Sequence, residues 1–238
     1  MTDIYFPGCT ATYKMKEISG AAVKIMQKAG YDFTTLGEDE WCCGSVMLRT
    51  GNIPEAEELI DHNLEAIRSS GAGRVITTCS GCYKTLGRDY KERKGELGFE
   101  VVHLPALVKE FIDQGKLKFK QNNVKVTYHD PCHLGRHMGM FDIPRDVIKA
   151  IPGVELVEMA RSRQFARCCG AGGGMLAGNK ELSEAIGQDR IKDAMATGAS
   201  ILTTPCPFCT LHLTAQAKEA GADIRVMDFS EFVLENLV

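Results

Sequence analysis

Cys168-Cys169-Gly170-Ala171-Gly172-Gly173-Gly174 is the stretch that decides how this chain reads. Neighbouring cysteines point to opposite sides of an extended backbone, so two vicinal thiols serving one site require a tight turn, which the glycines permit. The glycine run also lets backbone N–H groups come close to something bulky and anionic, because no Cβ blocks the approach. The same device occurs earlier as Cys42-Cys43-Gly44. Each pair lies between a lone upstream cysteine, Cys9 or Cys132, and a downstream C-x-x-C, Cys79/Cys82 or Cys206/Cys209. The ten cysteines thus form two sets of five with none left over.

Outward from the cysteines, strands and helices alternate. Ile4-Tyr5-Phe6 reads as a buried strand ending at Pro7-Gly8, and Met15, Ile18, Ala22, Ile25, Met26 and Ala29 recur at helical spacing before Gly30. Tyr31 to Thr34 reads as a second strand. A long helix follows the first pair, with Pro54 in its first turn and Glu55, Glu57 and Glu58 at its positive end. The β-branched run Arg74 to Thr78 delivers Cys79-Ser80-Gly81-Cys82, and Val101-Val102-His103 precedes a helix on Leu107, Val108, Phe111 and Ile112. Polar Lys116 to Asn123 is the best boundary in the chain. Beyond it the pattern recurs as strand Val124 to Tyr128, helix Ile143 to Ile151, strand Glu155 to Val157, helix Lys180 to Thr197 and strand Ile201 to Thr204. Asp228-Phe229 to Leu237 answers His103-Leu104 to Ile112. Internal duplication is the economical reading, with repeats over 1–119 and 120–238. The expected fold is α/β: two pseudo-symmetric Rossmann-like halves with small parallel sheets, whose functional residues gather beyond the strand carboxyl ends.

Whole-chain properties narrow the function classes. With 238 residues the chain can bury a proper core in one domain or two. A formal charge of -3, spread almost evenly over the halves, argues against a nucleic-acid arm or a basic membrane-binding face. Thr2-Asp3 runs directly into a strand-like segment, without the charged leader and apolar core of a secretory signal, and no apolar run approaches a membrane span. The expected location is the cytoplasm, with reduced thiols, where C-x-x-C spacing points to metal or redox chemistry rather than structural bridges.

The spacings are C-x32-CC-x35-C-x2-C and C-x35-CC-x36-C-x2-C, two independent near-matches. Iron–sulfur clusters are normally satisfied by four thiolates, so five is one too many. The fifth could be a structural thiol, or could stand aside while an ordinary cubane takes the other four. Four thiolates also suit zinc, but zinc would leave one cysteine over in each set and would not account for a vicinal pair in both.

Phe6-Pro7-Gly8-Cys9, His129-Asp130-Pro131-Cys132-His133, Cys168 to Gly173 and Cys206-Pro207-Phe208-Cys209, within the two five-cysteine sets, resemble the catalytic B-type polypeptide of heterodisulfide reductase and the corresponding domain of its D-type polypeptide. The resemblance covers essentially the whole chain. It implies two [4Fe-4S] clusters of non-cubane form, each bound by five cysteines: Cys9, Cys42, Cys43, Cys79 and Cys82 for one, Cys132, Cys168, Cys169, Cys206 and Cys209 for the other. It also implies a disulfide substrate between them. Cleaving a disulfide takes two electrons and a cluster passes one at a time, so a cluster on each side of the S–S bond suits the reaction. The superfamily also includes iron–sulfur subunits of lactate- and glycolate-oxidising systems, so an electron-relay subunit of a dehydrogenase complex is the alternative function.

His133, Arg136 and Arg167 are candidate contacts for an anionic thiol or disulfide substrate. Arg161 and Arg163 read as solvated charges, His103 and His129 as core or supporting groups rather than ligands, and Met138, Met140 and Met175 as packing. No second ferredoxin-type cysteine run and no flavin motif is present, so electrons must come from another polypeptide. The resemblance implies a ferredoxin-like C-type subunit or a flavin-bearing A-type subunit as partner.

Overall fold

The run Arg74-Val75-Ile76-Thr77 forms a strand buried at every position beyond Arg74, as β-branched residues at the centre of a covered sheet should be. In the structure, a computed structural model that describes residues 2–238, it is the third strand of a parallel sheet. That sheet comprises β1 (Asp3–Tyr5), β2 (Phe33–Thr34), β3 (Arg74–Thr77) and β4 (Glu100–His103), in the order β2-β1-β3-β4. Met1, where the first repeat is expected to open, lies outside the described residues. A second parallel sheet comprises β5 (Val124–Tyr128), β6 (Val154–Leu156), β7 (Ile201–Thr204) and β8 (Arg225–Asp228), in the order β6-β5-β7-β8. Order and register repeat together: Ile4 faces Val75 in the first sheet and Val126 faces Ile201 in the second. The fold is therefore α/β with two repeated halves, as the strand–helix alternation implies.

Boundaries move for local reasons. The strand expected over Tyr31 to Thr34 shortens to Phe33–Thr34, because the Tyr31 N–H donates to the Met26 carbonyl and closes the preceding helix, Lys16–Lys28. The Tyr31 ring then packs on Phe111, with centroids 5.3 Å apart. Polar Lys116 to Asn123 is tied down rather than free: Phe119 bridges Leu237, and Lys120 N–H donates to the Asn236 carbonyl.

One buried cluster runs through both sheets, from Tyr5, Ile25 and Val102 to Tyr128, Val147 and Phe232. Its geometry is reciprocal. The helix that ends the first half, Leu104–Asp113, packs on Asp142–Lys149 of the second, and the helix that ends the second, Phe229–Asn236, packs on Lys16–Lys28 of the first. Phe111 and Phe232 are both essentially fully buried there. Truncating either to alanine would cost about 3–5 kcal/mol and loosen the joint. Two smaller clusters lie beneath the cysteine loops, one holding Cys43, Cys79 and Cys82, the other Cys169, Cys206 and Cys209. Among the described residues no helix is long and apolar enough to cross a membrane.

Candidate metal centre

β1 lies beside both β2 and β3, and the chain leaves β1 for one edge of the sheet before returning to build the other. A reversal of this kind opens a crevice beyond the carboxyl ends of the two central strands. Cys9 follows β1 into that crevice, and Cys79 and Cys82 follow β3; in the second sheet Cys132 follows β5, and Cys206 and Cys209 follow β7. The vicinal pairs arrive from loops that feed the next helices, at Ser45–Thr50 and Met175–Gly178.

The two crevices open on one another. A single cavity of roughly 230 Å³ is lined by nine of the ten cysteines, five from the first half and four from the second. The tenth, Cys169, is buried with its sulfur 3.3 Å from that of Cys209. The matching pair in the first half, Cys43 and Cys82, stands at 3.4 Å, and Cys9 and Cys42 at 4.0 Å. All ten are free thiols.

Two glycines make this convergence sterically possible. Gly8 has φ +79°, and a Cβ there would lie 2.7 Å from the Cys82 sulfur. Gly174 has φ +85°, and a Cβ would lie 2.6 Å from Cγ2 of Thr50, on the helix that follows the other half's vicinal pair. The glycine run thus has two uses: Gly174 lets the halves close, while Gly172 and Gly173 line the cavity.

Crowding sets the thiols against one another. Hydrogen bonds from Cys42 and Cys82 bring Cys43 down to about 6, while Cys82 is driven well above the ordinary thiol range by Cys43 and Cys79. Cys79 is held low, first by Cys206 of the other half. Cys209 is pushed well up, first by Cys169. Ten thiolates cannot ionise together in so small a volume without cationic charge among them. The donor set fits a polynuclear cluster better than single ions. Four thiolates on one zinc, at about 2.3 Å each, lie within about 4 Å of one another. Among the described residues the one compact group of three possible ligands is His129, Cys169 and Cys209, whose ligand atoms lie within 4.8 Å of one another.

His133 lines the cavity. Desolvation above all, with Arg49, His137 and Lys84 adding to it against the opposing pull of Cys206, lowers His133 to about 4, so it meets the cavity as a neutral imidazole. Arg136 is exposed and donates to the Ala166 carbonyl at 2.5 Å, and Arg167 faces Asp193 at 3.4 Å. Neither guanidinium lines the cavity. The polar residue that follows Pro131-Cys132 was legible in sequence; others were not. Glu40 accepts from the Gly8 N–H at 3.0 Å and is raised by burial to about 7. Arg145, buried, holds Asp130 through two hydrogen bonds of 2.7 and 2.8 Å and so fixes the loop that carries Cys132. Phe208, between the last two cysteines, forms part of the cavity wall.

A duplicated α/β chain whose strand ends and glycine-rich loops bring nine of its ten thiols to one shared cavity is a cysteine-rich redox-type domain pair. The chain belongs to the CCG cysteine-rich domain family, whose pattern it matches twice, over residues 4–87 and 126–214. It is 46% identical over 239 residues to the D-type polypeptide of dihydromethanophenazine:CoB–CoM heterodisulfide reductase from Methanosarcina acetivorans, covering 98% of this chain and 58% of that one. It is 35% identical to the B-type polypeptide of the CoM/CoB fumarate reductase from Methanothermobacter marburgensis, over 96% of this chain and 45% of that one. A third relative, EtfAB:quinone oxidoreductase of Syntrophomonas wolfei, is 34% identical over 96% of this chain and 33% of its own length. The chain therefore spans little more than half the length of the heterodisulfide reductase polypeptides it matches.

Proposed function

We propose that this chain is the catalytic iron–sulfur subunit of a heterodisulfide reductase-like complex, an oxidoreductase acting on a sulfur group in the cytoplasm. The convergence of both cysteine sets on one cavity carries the reading. Cys9, Cys42, Cys43, Cys79 and Cys82 would hold one [4Fe-4S] cluster, and Cys132, Cys168, Cys169, Cys206 and Cys209 the other, each in a five-cysteine, non-cubane arrangement. The repeats 1–119 and 120–238 are proposed as the two cluster-bearing units. When bound, the clusters would supply the electrons, each passing one at a time.

The chain's own residues prepare a narrow, largely apolar space between the two sets. Phe208 and Val46 help exclude water from it, and Gly172 and Gly173 leave room for an elongated substrate. His133 offers a ring N–H to a disulfide or to the thiol produced from it. Arg136 and Arg167, outside the cavity lining, would brace the approach to Cys168 through their contacts with Ala166 and Asp193. Electrons would come from a ferredoxin-like C-type subunit or a flavin-bearing A-type subunit.

The test is substrate access. Oxidised protein exposed to a panel of anionic and CoA-type thiols should give a new paramagnetic signal that broadens when the thiol carries ³³S. The similarity to EtfAB:quinone oxidoreductase favours the second reading, an electron-relay subunit of a dehydrogenase complex. Spectra unmoved by every thiol and disulfide, with ready reduction by a flavin-linked dehydrogenase, would establish that reading instead.

A further inference from the structure

The two halves repeat in backbone but not at one position beside the cysteines. Phe6 and His129 occupy the same place, each one residue past the first strand of its sheet and each donating its N–H across to the central neighbour, Phe6 to the Ile76 carbonyl at 2.7 Å and His129 to the Thr203 carbonyl at 2.9 Å. Both are fully buried. In the first half the place is filled by a phenyl ring without a donor, and in the second by an imidazole.

The orientation of that imidazole is fixed from behind. Arg190, fully buried in the helix Lys180–Met195, donates Nε–H to His129 Nδ1 at 3.0 Å. A guanidinium can only donate, so Nδ1 must accept and the ring proton must reside on Nε2. Nε2 is buried and has no partner in the protein. A ring nitrogen of His129 lies within 4.8 Å of the sulfurs of Cys169 and Cys209, and Nδ1 is already engaged. An unpartnered buried donor is costly, which argues that something accepts from it.

Resting on the two-cluster reading above, we infer that His129 Nε2–H donates a hydrogen bond to a sulfur of the second cluster or of its Cys169 or Cys209 ligand, and that it makes the second cluster the easier of the two to reduce. His129 is not a sixth ligand. Ligation through Nε2 would require the proton on Nδ1, where it would point at the Arg190 N–H. An N–H···S bond stabilises the reduced, more negative cluster and raises its potential, and the buried charge of Arg190 strengthens the donor. Phe6 supplies no such bond to the first cluster. The pair is therefore unequal by construction, so an incoming electron settles on the second-half side of the cavity first.

The experiment uses the full chain purified anaerobically, as wild type and as His129→Phe, which copies the first half. Iron analysis comes first, and a wild type lacking iron defeats the two-cluster reading itself rather than this inference. With clusters present, redox titration followed by EPR should show two unequal potentials. His129→Phe should lower the higher one by about 59 mV, a tenfold shift in a one-electron equilibrium, and leave the lower one in place. Wild-type protein labelled with ¹⁵N-histidine should show a weak nitrogen coupling together with an exchangeable proton coupling on the higher-potential cluster. This labelled measurement decides alone if the variant fails to hold its iron. A strong, directly bonded nitrogen coupling, no histidine coupling at all, or unchanged potentials in His129→Phe would overturn the inference.

Discussion

The hydroxyl of Ser80 donates a 2.7 Å hydrogen bond to the carbonyl of Pro205, joining residues 125 apart. Ser80 follows Cys79 and Pro205 precedes Cys206, so this bond ties the loop after β3 to the loop after β7 across the pseudo-two-fold relation of the halves. Both sides of the cavity are thereby held in register.

Ser80→Ala should leave the Pro205 carbonyl without that donor in a buried place. The expected cost is about 1–3 kcal/mol of unfolding stability. Urea denaturation of anaerobic protein would read it, with iron content unchanged at the start of the titration. An unaltered midpoint would show that the halves are held by their reciprocal helix packing alone.

Gly8→Ala attacks one site and spares the other. A methyl group would clash with the Cys82 sulfur at 2.7 Å and strain a residue at φ +79°. Iron should fall from about eight to about four per chain, the loss of one four-iron cluster, while the second-half EPR signal persists. Loss of both signals together would mean that the sites assemble as one unit.

Asp228 caps the helix Phe229–Asn236 through a reciprocal capping box with Glu231. Burial, the leading cause, raises it from 3.8 to about 8, against the opposing hydrogen bonds from Ser230. For an acid raised in the fold, the native state binds the proton more tightly than the unfolded chain, so stability falls as pH rises from about 4 to about 8 and levels above. Asp228→Asn keeps the cap and removes the titration. Denaturation midpoints at pH 6 and pH 8 should therefore differ more in the wild type than in the variant; equal differences would place the pH dependence elsewhere.

Seven of the eight strands were legible because parallel strands covered on both faces are short β-branched runs, and Arg74 to Thr78 and Ile201 to Thr204 are near-copies; β8, with Arg225 and Asp228 at its ends, was not. Both cysteine sets were legible from spacing alone. The helix Pro207–Glu219 was not, since its buried face carries Thr210, His212 and Gln216 beside Cys209 and Leu213, which hides the apolar period. Nor could a sequence show that helices 104–113 and 229–236 each cover the opposite half, because that exchange lies in tertiary packing between segments with ordinary amphipathic stripes. His129 reads as a supporting group at a strand end. Its significance comes from Arg190, 61 residues away, fixing which nitrogen carries the ring proton.

The most direct test is the metal itself. Two four-iron clusters require about eight irons and about eight acid-labile sulfides per chain in protein purified without oxygen. Stoichiometric zinc with negligible iron and sulfide would contradict the account at its centre.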